Sequence, residues 1–242
     1  TRIDCFEDKA EYIHGIDKLR PVLEQFESEV ELQEDRQISQ LFNPKDVASA
    51  LGLPVPYVIS ISERRNNEYM WEKYADKSQG VVMELEFPNP RGIYEAALFS
   101  IESCLYDCKI SSDELEKLVK AKYMEMAIIM FGGNKEFAIA LLRDNPVAFV
   151  RFIAMYLLAF VAPRFKKDEF IKEEETRIII ASPKKEYNGL FDNVPCPIGF
   201  ETMIEMVKRF VDCEKQRPDN GNFFREIFMP ISVLKRIYVK GD

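Results

Sequence analysis

KKDEFIKEEETRIIIA, residues 166–181, changes character halfway along. Lys166, Lys167, Asp168, Glu169, Lys172, Glu173 and Glu174 crowd its first half with charge, while Ile178, Ile179 and Ile180 make the second half an apolar, β-branched run. β-Branched side chains suit a pleated, buried surface, so a strand is expected near 175–181. On a strand, residues two apart share a face, which would set Glu173, Glu175 and Arg177 side by side.

Upstream, Val147 to Ala162 is the most apolar run, sixteen residues that include Arg151. A membrane span needs about twenty residues without such a charge, so this run reads as a buried core helix. Asn145-Pro146 is a helix start, and Ser111-x-x-Glu114 is a capping box opening an earlier helix that Gly132-Gly133 breaks. A further helix is expected to about residue 143, so 111–162 reads as an all-helical subdomain inserted in one domain, 1–242. Before it, Tyr57 to Ser62 reads as a strand, and Asn66 or Asn67 caps a helix to about Lys77. Val81, Met83, Leu85 and Phe87 then alternate with Val82, Glu84 and Glu86, a strand with one solvated face. A strand near Ile93-Tyr94 is also expected. Near the start, Ile13, Ile16, Leu19, Val22, Leu23 and Phe26 are spaced helically, but Pro21 predicts two short helices. Asn43-Pro44 starts a helix ending near Leu51. Downstream come a loop over 186–197, a helix over 199–213, a strand over 224–229, a corner from Pro230 to Leu234 and a last strand over 235–240. Strands mixed with helices in this order indicate an α+β fold, with a mixed, largely antiparallel sheet packed by helices.

Composition removes several function classes. Among 242 residues, 33 Lys and Arg against 41 Asp and Glu leave a net charge of −8. That balance disfavours nucleic-acid binding, apart from a local basic face around Arg164 to Lys167. His14 is the single histidine, which disfavours zinc centres and histidine-based catalysis, so no metal is expected. Five cysteines in wide, odd spacing argue against a disulfide framework and fit a reducing cytoplasmic setting. Cys104 and Cys108, four apart, are expected to be small buried apolar residues. No signal peptide and no membrane segment is expected.

Five marks recur in order: Phe6-Glu7-Asp8-Lys9-Ala10-Glu11; a strand ending Ser60-Ile61-Ser62; Met70-Trp71-Glu72-Lys73-Tyr74-Ala75 followed by Gly80; Phe170-x-x-Glu173-x-Glu175-x-Arg177; and Pro230 to Leu234 between strands. Over nearly the whole chain this set resembles the bacterial domain-of-unknown-function family 2971. The family's Asn-Asp-Pro reads Glu7-Asp8-Lys9 here. The resemblance implies a bacterial origin and a shared fold, and it extends to an effector role in stress or phage defence. It implies no reaction.

Each candidate residue has two readings. Trp71 and Tyr74 could form a stacking platform for a planar ligand or anchor their helix in the core. Ser60 and Ser62 share a strand face and could line a pocket or meet solvent. Glu173 and Glu175 could divide acid and base roles, Arg177 could clamp an anion, or all three could form a surface ladder. Asp8 and Glu11 read as helix-capping acids. Taken together, a Ser-x-Ser strand, an aromatic helix and a late Glu-x-Glu are similar to ADP-ribosyltransferase sites. The similarity implies NAD as a substrate, Glu175 supporting an oxocarbenium-like transition state and Glu173 orienting the nucleophile. The leading expectation is a site for a nucleotide-like or anionic small molecule. The alternative is a non-enzymatic protein-interaction module using the helical block.

Overall fold

The computed structural model describes the chain except residues 7–9, 30, 32, 34–36, 38, 42–54, 76–78, 87–98, 131–133, 135, 137–138, 141–143, 181–214, 225, 227–233 and 240–242. In chain order its main elements are helix α1 (Ala10–Glu29), strand β1 (Tyr57–Ser62), helix α2 (Glu68–Tyr74), and strands β2 (Val81–Leu85), β3 (Phe99–Ser103) and β4 (Leu105–Tyr106). Helices α3 (Ser112–Met130) and α4 (Pro146–Tyr156) follow, then strands β5 (Phe165–Lys166), β6 (Glu175–Ile180), β7 (Lys215–Gln216), β8 (Phe223–Phe224) and β9 (Leu234–Val239). The fold is α+β, and among the described residues its strand pairs are antiparallel except β4 with β5.

Strand β6 is buried over its whole length and lies between β1 and β3. Ser62 faces Glu175, and both Ser60 and Glu102 face Arg177, across the two ladders. Opposed residues point to the same side of a sheet, so Ser60, Ser62 and Glu102 share the face of Glu175 and Arg177. Ile179, on that face too, joins the main core with α1, α3, α4 and Phe165.

Helix α1 is continuous through Pro21, where two helices were expected. Proline removes the hydrogen bond to the Asp17 carbonyl, at a cost of about 3 kcal/mol. Ile16, Leu19, Val22, Leu23 and Phe26 form one buried stripe spanning that point. Burying each such side chain contributes about 1.5–3 kcal/mol, which outweighs the interruption. Helix α4 runs on into a π-turn, Leu157–Val161, and a 3-10 turn, Ala162–Arg164, both buried. The expected core helix over 147–162 is therefore a helix with a re-pitched end. Among the described residues no helix is long and apolar enough to cross a membrane.

The capping box forms as expected: Ser111 N donates to Glu114 Oε2 at 2.9 Å and Glu114 N to Ser111 Oγ at 3.3 Å. Strand β2 forms with one solvated face as expected, but the solvated face is the apolar one. Val81 and Met83 face Ile237 and Val239 of β9, and all four are exposed. The opposite side of this two-stranded ribbon is the occupied one. There Tyr238 Oη donates to Glu84, and the Arg65 guanidinium lies 4.5 Å from the Tyr238 ring centre. Cys104 is buried as expected, but Cys108 sits on an exposed 3-10 turn. The expected elements at 43–51, 93–94, 186–197 and 199–213, the Gly132-Gly133 break, and most of the 224–234 segment fall outside the described residues.

Candidate functional site

Between β5 and β6 the chain makes a 3-10 turn, Asp168–Glu173, that ends on Glu174 in the left-handed region at φ 45°. On either side of it Glu173 and Glu175 both point inward, where they are 1% and 3% exposed. The triple glutamate is thus no solvated face. Only Glu174 turns outward, pairing with Arg64 at 2.8 Å.

The ammonium of Lys166 bonds both Glu173 Oε2 and Glu175 Oε2. Arg177 Nε donates to Glu175 Oε1 at 2.7 Å, its Nη2 to Glu11 Oε1 at 2.5 Å, and its Nη1 to the Pro163 carbonyl. Glu11 is the acid of the first turn of α1, as expected, but its carboxylate reaches inward to the strand. At the other end, Glu173 Oε1 accepts from Lys73 Nζ at 2.6 Å and Tyr74 Oη at 2.8 Å. Tyr106 Oη accepts from Glu175 N at 3.2 Å. Five elements thus meet in one ion network, with Glu11, Glu173 and Glu175 against Lys73, Lys166 and Arg177.

Burial alone would raise the carboxyl pKa of Glu175, but the charge of Arg177 and the bonds from Arg177 and Lys166 pull it down to about 2. Glu173 is also lowered: its burial is outweighed by hydrogen bonds from Lys166, Lys73 and Tyr74. Both are ionised at neutral pH, so neither is poised to donate a proton. Burial likewise opposes the charge on Lys166, yet the pull of Glu175 and bonds to both glutamates hold its pKa above the ordinary lysine value.

Helix α2 is set against this network by Asn67. Its Oδ1 accepts from Met70 N at 3.2 Å, capping the helix, while its Nδ2 donates to the Lys172 carbonyl at 2.7 Å. Ser62 Oγ donates to the Glu173 carbonyl at 3.2 Å. The structure therefore brings together Ser62, Tyr74, Glu173, Glu175 and Arg177. Ser60 is exposed, beside Arg177 in register. Trp71 is buried, its Nε1 donating to the Arg65 carbonyl at 3.1 Å. Tyr74 is exposed, so the two aromatics do not form one platform.

Sequence reasoning missed Lys73, Lys166 and Glu11 as members. The basic face expected around Arg164 to Lys167 does not lie at the surface: Arg164 and Lys166 are both buried, and Arg164 Nε donates to the Ser103 carbonyl at 3.1 Å. The available signal was chemical: two inward glutamates require cations of similar depth. Among the described residues no group of three or more His, Cys, Asp or Glu side chains is arranged to hold a metal ion.

A family model described as "Protein of unknown function (DUF2971)" matches residues 70–178. That span holds Lys73, Tyr74, Lys166, Glu173, Glu175 and Arg177, and leaves out Ser60, Ser62 and Glu11. The marks at Phe6 and at Pro230 to Leu234 also lie beyond it. No curated protein and no solved structure matches the chain.

Proposed function

We propose that the chain, whose residues 70–178 match the model of domain-of-unknown-function family 2971, binds a nucleotide-like small molecule beside the Glu173–Glu175 network and acts on its glycosidic bond, with NAD as substrate. The observation that carries this reading is the tying of Ser62, Tyr74, Glu173, Glu175 and Arg177 into one hydrogen-bonded set. Two carboxylates held ionised suit this chemistry. When the bond between ribose C1′ and nicotinamide breaks, nicotinamide leaves as a neutral molecule with the bonding pair and needs no acid. The ribose acquires oxocarbenium character, which a fixed anion stabilises. Water or an acceptor hydroxyl then adds at C1′ and gives up a proton, and Glu173 is the base nearest the rim. Arg177 and Lys166 act as positioning residues that hold the carboxylates. Loss of cellular NAD would be the outcome of such an activity, in line with an effector in stress or defence.

The test is nicotinamide release from labelled NAD. Wild type is expected to turn over, and Glu175→Gln, verified as folded by circular dichroism, to lose at least 100-fold. No turnover by wild type, or equal turnover by the folded variant, overturns the reading.

The second reading, a non-enzymatic protein-interaction module, is favoured by the exposed Val81, Met83, Ile237 and Val239 face. It moves the contact from the helical block to the ribbon, because Leu115, Val119, Val150 and Ile153 are core residues. Affinity capture from the native host is expected to lose its partner in Met83→Lys; equal capture overturns it.

A further inference from the structure

The rim of the ion network has the chemistry of an ammonium receptor. Lys73 Nζ lies 5.3 Å from the ring centre of Tyr69, 4.9 Å from that of Tyr74 and 4.9 Å from that of Phe170. It also meets Glu173 Oε1 at 2.6 Å, an oxygen that Tyr74 Oη orients from 2.8 Å. Three aromatic faces within about 6 Å and a carboxylate floor are the elements by which proteins recognise alkylammonium groups.

Two features separate this arrangement from an ordinary internal ion pair. The floor is built without Lys73, since Glu173 is fixed on its other oxygen by buried Lys166. And the charge is incomplete without Lys73. Glu11, Glu173 and Glu175 supply three negative charges, while the deeply buried Lys166 and Arg177 supply two positive ones. Lys73 provides the third from the rim, with its side chain 35% exposed. Withdrawing it leaves a buried surplus of one negative charge behind an aromatic mouth, and such a surplus attracts a cation strongly.

We propose that Tyr69, Tyr74, Phe170 and Glu173 form a binding site for a primary alkylammonium group, which Lys73 occupies in the free protein and an external amine takes by displacing it. Lys73 is thus a tethered competitor that sets how strongly the site admits a ligand. The site stands on the geometry of this cluster, independently of any action on NAD.

The probe is n-butylammonium chloride, titrated calorimetrically into the full chain at constant ionic strength, with potassium chloride as the control. Removing the competitor in Lys73→Ala is expected to tighten binding at least 10-fold over wild type, since a site mostly filled by its own tether shows weakened apparent affinity. Adding Phe170→Leu to Lys73→Ala is expected to weaken binding several-fold, as an aromatic wall is lost and the volume is largely kept. The amine is also expected to raise the melting temperature of Lys73→Ala where potassium does not. If Lys73→Ala fails to fold, Lys73→Met, which keeps the stem's packing, carries the same comparison. Equal affinity for wild type and the lysine variant, no binding by a folded variant, or an equal effect of potassium would overturn the proposal. Release of nicotinamide from NAD is read in a separate assay, so either result can fail alone.

Discussion

Glu175 is an acid whose behaviour is decided by its neighbours. Arg177 and Lys166 hold its pKa at about 2, below the ordinary 4.5. A carboxyl depressed in the folded state stabilises the protein above its unfolded pKa, and this contribution is lost as pH falls toward the folded value. The urea midpoint is therefore expected to be steady from pH 7 to about 5 and to fall between about pH 4.5 and 2. Glu175→Gln should be less stable at pH 7 and show a shallower acid slope, with Glu173 and the other lowered carboxyls, Glu63 and Asp168 among them, contributing to the slope that stays. An identical slope in both proteins would remove Glu175 from this account. That Glu173, Glu175 and Arg177 belong together was legible in their alternate spacing. Their burial was not, because the same spacing also describes a surface ladder. Lys166 and Glu11 escaped notice for a related reason: they are nine and 164 residues from Glu175, and only folding makes them its neighbours.

Elements meet more closely than their patterns reveal. In α1, Gly15 lies against the turn that follows α4, and a Cβ there would overlap the Ala162 carbonyl. The obstacle is backbone, which cannot rotate aside as a side chain can. Gly15→Ala is expected to destabilise by about 1–3 kcal/mol despite alanine's better helix propensity, as measured by urea unfolding. No loss of stability would mean that α1 can shift from this turn without cost. The same helix shows how burial overrides a local signal. Pro21 marks a break by itself, yet the stripe from Ile16 to Phe26 is buried as one face. Where a local signal has no tertiary competitor it is reliable, as at the Ser111–Glu114 box and the Asn67 cap.

At the scale of the whole molecule, the β2–β9 ribbon shows most plainly what alternation leaves open. Val81 and Met83 form an apolar face as their spacing demands, but that face is exposed, beside Ile237 and Val239. Met83→Lys should therefore alter the urea midpoint by no more than about 0.5 kcal/mol equivalent, whereas burial of Met83 in the core would make the change far costlier. A large loss would contradict the exposure. The same neutrality makes Met83→Lys a clean probe of partner binding.

Composition and pattern by themselves determined the α+β class, the strand over the Ile178–Ile180 run, the capped helix starts and the kind of chemistry open to a chain with one histidine. These follow from backbone preference and side-chain periodicity, which act over a few residues. Only the tertiary structure decided which face of the ribbon is covered, that α1 continues through Pro21, and that Glu11, Lys73 and Lys166 join Glu173, Glu175 and Arg177. Such outcomes depend on desolvation and charge pairing between distant segments: a buried carboxylate requires a partner, and the partner's identity is set by what the fold brings within reach.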